Sequence, residues 1–288
     1  MRFIIRFTMK KITEETFDEE RALYNLTDAK LTNVTFAGPK DGESPLKESV
    51  DIALEKCLFS LRYPLWHCSS FSMDGCHFDD KARAPLWYCH DGEIVSTPIE
   101  AIKCLRESKD ISFKGCSIVS PEFGWKCERI QMDGCHLDSD YSFFEENGSF
   151  FTDLTLKGKY SFQYCHGCEV DRSVLETKDA FWHSRDCVIR DSIVKGEYLA
   201  WYSENLTLIN CTIVGSQPFC YCKGLKLIDC MMEGCDLAFE YSEVDAEIKG
   251  TLSSIKNPLK GTIRIDRPCL VIREDPVYPC SGQVTIRK

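Results

Sequence analysis

The chain repeats itself, and the repeat is too short for most folds. The word Ile111-Ser-Phe113-Lys-Gly-Cys116-Ser-Ile118 returns as Ile130-Gln-Met132-Asp-Gly-Cys135-His-Leu137. It returns again as Leu206-Thr-Leu208-Ile-Asn-Cys211-Thr-Ile213 and as Leu225-Lys-Leu227-Ile-Asp-Cys230-Met-Met232. Counting the first residue of the word as position 0, copies begin at 29, 52, 71, 92, 111, 130, 149, 168, 187, 206, 225, 246 and 263. Eight of the twelve intervals equal 19, and a period held that long marks a repeat architecture.

The columns say what each repeat is. Position +2 is a large apolar residue in all thirteen copies, from Leu31 to Ile265, and position +7 is apolar in twelve, with Ser253 the exception. Apolar and polar residues alternate at 0, +1, +2 and again at +5, +6, +7, the two-residue period of a strand with one buried face. Between these strands, position +4 is Gly, Asn or Asp in nine copies, including Asn33, Gly75, Asp191 and Asn210, residues that tolerate positive φ at a corner. Nineteen residues at about 3.3 Å each close roughly one turn of a coil, with no length left for a helix. The expected fold is therefore all-β, a single-stranded right-handed parallel β-helix of about 13 coils with a 19-residue period. Residues 1–28 are expected to form an N-terminal cap, 29–270 the helix and 271–288 a C-terminal cap. Thr13 to Tyr24 reads as a short acidic helix within the first.

Composition narrows function by exclusion. Thirty-five basic against 45 acidic residues give a net charge of −10, which repels a phosphate backbone, so no nucleic-acid partner is expected. Met1 to Phe7 has a short apolar stretch broken by Arg6 and followed by Lys10 and Lys11, neither a signal sequence nor a span. A cytoplasmic protein with reduced thiols and no membrane partner is the expectation, and the oligomeric state is left open. The 18 cysteines fall mainly on two columns, +5 (Cys57, Cys76, Cys116, Cys135, Cys211, Cys230) and −3 (Cys68, Cys89, Cys127, Cys165, Cys222). Small, inward-facing structural thiols explain that placement better than disulfides. Cys165-His-Gly-Cys168 has metal-ligand spacing but no matching second pair, so neither a metal nor a cofactor is called for.

Two outer columns carry the functional expectation. All five tryptophans, Trp66, Trp87, Trp125, Trp182 and Trp201, stand at −5, where alternation with the small −3 column favours an inward ladder over an exposed strip. Position −4 reads His67, Tyr88, Glu107, Lys126, Glu145, Tyr164, His183, Tyr202 and Tyr221. In a stacked coil these fall one strand spacing apart and form a row of polar tips on flat bodies, suited to an elongated polar ligand. His67, Tyr88, Lys126, Tyr164, His183, Tyr202 and Tyr221 are the candidate ligand-binding residues, and an oligosaccharide or a protein is the candidate partner.

The segments Tyr63-Pro-Leu-Trp-His-Cys68, Gly196-Glu-Tyr-Leu-Ala-Trp-Tyr-Ser-Glu-Asn205 and Leu237-Ala-Phe-Glu-Tyr-Ser242 resemble an uncharacterised, mainly bacterial family of right-handed β-helix proteins, a domain of unknown function. The resemblance implies the pectate-lyase-like superfold and brings no activity or site residues with it. Polysaccharide lyases and glycoside hydrolases need paired charged groups on one face, and no such cluster or Asn-Thr-Asp, Gly-His-Gly series is present, so catalysis is the alternative and its residues unassigned. A pentapeptide-repeat-like DNA mimic is a second alternative, which would require a continuous negative stripe and no Trp-lined corner. The leading expectation is a binding or interaction scaffold.

Overall fold

A computed structural model describes residues 9–287. The reading of Met1 to Phe7 lies outside the described residues, as does Lys288 at the end of the expected C-terminal cap. The described residues divide into two compact units, 9–136 and 137–287. Each is a parallel β-solenoid with a period near 19 residues, and the described residues hold about 15 turns in all and no helix.

In the first unit, position +2 side chains stack turn on turn in register, Leu31 on Leu54, Met73, Ile94, Phe113 and Met132. In the second, Phe151 stands on Val170, Ile189, Leu208 and Leu227. All are buried. A second core file comes from +7: Phe36, Phe59 and Phe78 stack at 5.0 and 4.6 Å in the first unit, and Leu156, Leu175, Val194, Ile213 and Met232 follow one another in the second. A third file, at −6, holds Phe143, Phe162 and Phe181, stacked at 4.7 and 4.6 Å, then Ala200 and Phe219, and Phe239, 20 residues on, meets Phe219 at 5.6 Å. Burying each of these side chains contributes roughly 1.5–3 kcal/mol.

The corners are made by left-handed residues. Eight of the nine Gly, Asn and Asp residues of the +4 column stand at this corner with positive φ, from Asp191 at 48° to Gly134 at 60°. A left-handed residue turns its N–H toward the following turn: Asp153 donates to Asp171 O at 3.1 Å, Asp191 to Ile209 O at 3.0 Å and Asn210 to Ile228 O at 2.9 Å. Its neighbours donate to the preceding turn, as Ile193 does to Ser173 O at 2.9 Å. Each corner is thereby clamped to the turns on both sides of it. Farther along the coil only glycine fits at Gly215, at φ 147°, where a Cβ would lie 1.9 Å from Gly196 O of the preceding turn.

Three expectations are corrected. Residues 13–24 are not helical: Lys10–Thr13 pairs with Thr27–Thr32 in register, Lys10 opposite Ala29, so this segment is a turn of the coil itself. Its Glu and Asp residues are the outward half of that turn rather than the polar face of a helix. At the other end, Gln283–Ile286 still pairs with Lys260–Ile265, so the ladder continues past residue 270. The copy placed at 246 is also out of step: Leu227 pairs with Ala246 and Cys230 with Ile248, and the register shifts between them because the later turn is one residue shorter at the corner.

Deep truncation in a stacked file leaves a gap its neighbours cannot close. Phe181→Ala is expected to lower unfolding free energy by about 3–5 kcal/mol in urea titrations followed by circular dichroism. Arg185→Ala, at an exposed outer position, is expected to change it by no more than about 0.5 kcal/mol.

Candidate functional site

The −4 column sits on a corner of its own. His67, Tyr88, Lys126, Tyr164, His183, Tyr202 and Tyr221 all have φ between 54° and 60°, in the left-handed region. Bulky residues are disfavoured there by about 1–2 kcal/mol each. Two contacts offset that cost. Each backbone N–H reaches forward, Tyr164 to Trp182 O at 2.8 Å, His183 to Trp201 O at 3.0 Å and Tyr202 to Cys220 O at 3.0 Å. Each ring also lies flat on the next.

In the second unit the result is one continuous stack. Tyr164 and His183 lie 4.9 Å apart and 8° from parallel, His183 and Tyr202 5.0 Å and 7°, Tyr202 and Tyr221 4.8 Å and 8°. Tyr241, which the 19-residue count missed because its interval is 20, closes the stack at 5.5 Å. Tyr164 and Tyr202 are 50% and 42% exposed, so the row lies on the surface. Its ring faces, however, cover one another, and what meets solvent is a line of ring edges, hydroxyls and one imidazole. Stacking of a ligand on those faces is therefore blocked, whereas hydrogen bonding to the tips is open.

In the first unit His67 stacks on Tyr88 at 4.7 Å and 15°. The aromatic run then stops, because the next positions are Glu107 and Lys126. Tyr88, Glu107 and Lys126 instead line a groove of about 410 Å³ with His90, Lys109 and Glu128. Lys126 is thus brought to Tyr88 across a cavity and does not extend the stack.

The tryptophan column does not face the core. Trp66, Trp87, Trp125, Trp182 and Trp201 are half-buried on the outside. Left-handed residues at both −6 and −4, such as Phe181 and His183, break the strict alternation, so −5 and −3 do not share a face. The indole N–H groups donate to carbonyls of the following turn, Trp182 to Tyr198 O and Trp201 to Gln217 O, both at 2.7 Å. Trp182 and Trp201 stack at 5.4 Å and 4°.

Beyond them lies a column that sequence reading passed over, Tyr160, Asp179, Tyr198 and Gln217, all with positive φ. The constant 19-residue spacing was its one signal, since no residue type recurs often enough to draw attention. These four line a groove of about 420 Å³ with Lys178, Trp182 and Trp201. Asp179 is 6% exposed, and burial holds its carboxyl above the ordinary carboxylate range.

All 18 cysteines are free, and 16 are buried. Their thiols donate inward to carbonyls of the preceding turn: Cys116 to Ile94 O at 3.5 Å and Cys211 to Ile189 O at 3.4 Å from the +5 column, Cys89 to Leu65 O and Cys165 to Phe143 O at 2.9 Å from −3. Serine does the same where it replaces cysteine, as Ser108 does to Leu86 O at 3.1 Å. Burial pushes the Cys68 thiol up to about 12 and Cys222 to about 11. Among the described residues no group of three or more His, Cys, Asp or Glu is arranged to hold a metal ion, and no helix is long and apolar enough to cross a membrane. Acidic side chains on the outer strands are interleaved with basic ones a turn away, for example Arg190 with Glu169 at 2.6 Å and Lys195 with Glu176 at 3.1 Å.

The sequence matches a family model, that of a protein of unknown function (DUF3737), over residues 10–284. The chain belongs to that family. No functionally curated protein matches it. Among solved structures it is similar to a pentapeptide repeat protein involved in heterocyst differentiation regulation from the cyanobacterium Nostoc sp. strain PCC 7120, with 12% identity and TM-score 0.34, covering 77% of this chain and 92% of that one. It is also similar to tailspike protein 3 of bacteriophage CBA120, with 9% identity and TM-score 0.40, covering 85% and 48%. A third likeness is to the mannuronan C-5 epimerase A-module of Azotobacter vinelandii, with 11% identity and TM-score 0.33, covering 97% and 89%.

Two outcomes follow from the buried acid and thiols. Since the fold favours the neutral form of Asp179, its ionisation opposes folding fully above the raised folded-state pKa and not at all below the ordinary one. Asp179→Asn is thus expected to melt above the wild type at neutral pH, with the gap closing as pH falls through the carboxylate range in calorimetry. In a thiol-reagent titration of native protein, only Cys269 and Cys280 are expected to react promptly, the other 16 doing so only after denaturant is added.

Proposed function

We propose that this protein is a binding scaffold whose second unit holds an elongated, hydroxyl-rich chain, an oligosaccharide, along the Tyr164–His183–Tyr202–Tyr221 row. The observation that carries this reading is the regular file of rings bearing polar tips, with ring centres 4.8–5.0 Å apart. A repeating ligand can meet such a file with the same hydrogen bond at each step. Tyrosine hydroxyls and imidazole nitrogens both donate and accept, which suits sugar hydroxyls better than a chain of uniform charge. The row is already stacked before any ligand arrives, so little side-chain entropy remains to be lost on binding.

The interleaved ion pairs and the Trp-lined corner give the DNA-mimic reading no support. Eighteen free cysteines, in a chain this rich in them, suit a reducing compartment such as the cytoplasm.

The row is tested by titrating the full chain with neutral and acidic oligosaccharides long enough to cover four turns, following the His183 ring resonances. A saturable His183 shift is expected. Tyr202→Ala or His183→Ala should weaken binding about tenfold, or about 1.4 kcal/mol. Absence of any shift across the panel would overturn the reading.

A further inference from the structure

The groove on the far side of the tryptophans is built differently from the row, and it leaves a gap. Tyr160 stacks on Tyr141 at 4.8 Å and 17°. The next place in its column is Asp179, not an aromatic residue, and the next ring is Tyr198, two turns on. At one strand spacing per turn, the absent ring leaves roughly 9–10 Å between the levels of Tyr160 and Tyr198. That separation leaves room for one saturated ring in carbon–carbon contact of about 4 Å with Tyr160, beside the Lys178 ammonium that lies over Tyr198.

The bottom of the gap is a carboxyl group without a partner. Asp179 is more than nine-tenths buried and lines the groove, and no hydrogen bond or ion pair engages its carboxyl among the described residues. Its oxygens are acceptors only and open on the groove, so a ligand hydroxyl there replaces water and no protein donor. Lys178 does not serve: its Nζ pairs with Glu197 at 3.6 Å and lies 5.3 Å from the centre of the Tyr198 ring.

We propose that this groove is a subsite for a single pyranose ring, with two neighbouring hydroxyls donating to Asp179 and the C–H face of the sugar against Tyr160. Lys178 stands at the groove to donate to a remaining sugar oxygen. A neutral ring fits better than an organic cation for a reason visible in the stacking. Trp182 and Trp201 cover each other's faces and offer the groove their rims, which are electropositive, while Tyr198 already faces an ammonium. The site adjoins the row through Trp201, whose ring meets Tyr198 edge-on at 5.5 Å and Tyr202 at 6.4 Å. The proposal rests on the carbohydrate reading for its class of ligand and adds where one residue of the sugar is gripped.

The test uses the full chain and simple methyl pyranosides of the gluco, galacto, manno and xylo series, followed by the indole N–H resonances of Trp182 and Trp201. Saturable shifts of both are expected with at least one pyranoside. Asp179→Asn keeps the shape and tolerates positive φ, and it should weaken that binding at least tenfold. His183→Ala should leave binding of the single ring unchanged while weakening that of the longer chain about tenfold, so failure of the row and failure of this subsite are separable. Unchanged binding by Asp179→Asn, shifts produced by tetramethylammonium but by no pyranoside, or no shift with any sugar would each overturn the proposal.

Discussion

Successive turns of this protein meet at the separation fixed by the backbone hydrogen bond between parallel strands, roughly 4.8 Å. Each side chain therefore stands directly above its counterpart one turn earlier, and its size and shape must match that counterpart. The constraint acts inside and outside alike. It piles Phe143, Phe162 and Phe181 into a core file and, by the same distance, makes Tyr164, His183, Tyr202 and Tyr221 a surface file. A flat ring is the one large shape that repeats at this spacing and still makes full contact, which accounts for aromatic residues recurring in so many columns.

The left-handed corners supply what the spacing alone does not. A regular strand would carry the chain straight on; a residue with positive φ turns it and redirects one N–H to the following turn. Asn and Gly serve on one side of the coil, where no ring is needed. On the row side the corner residues are Tyr and His, less suited to that backbone, and their tolerance there follows from the stack they enter. Replacing them by glycine would relieve the backbone and remove the surface, so local preference and the row pull in opposite directions.

Much of this was legible in the sequence wherever a column repeats a residue type. The +2 and +7 files, the Gly, Asn and Asp corners and the order of the −4 residues follow from spacing and two-residue alternation. The tryptophans were misplaced because alternation was carried through Phe181 and His183, whose left-handed φ interrupts it; nothing about a Phe or His marks such a conformation in advance. Asp179 went unnoticed for the opposite reason: it is the odd member of its column, and a search for likeness passes over the single residue that departs from it. The first turn was read as a helix because its acidic half has ordinary helical composition, whereas its pairing partner lies 19 residues away.

The row in the second unit is closed at one end. Tyr241, its last ring, accepts a hydrogen bond on its hydroxyl from the Val277 N–H at 3.1 Å and meets Tyr278 edge-on at 5.3 Å. The terminal segment that does this is itself tied down by Arg273, whose guanidinium donates to the Cys280 and Gly282 carbonyls. The row is therefore a cul-de-sac at that side: any polymer on the proposed site would have to present a terminus at Tyr241 or turn away from the surface there.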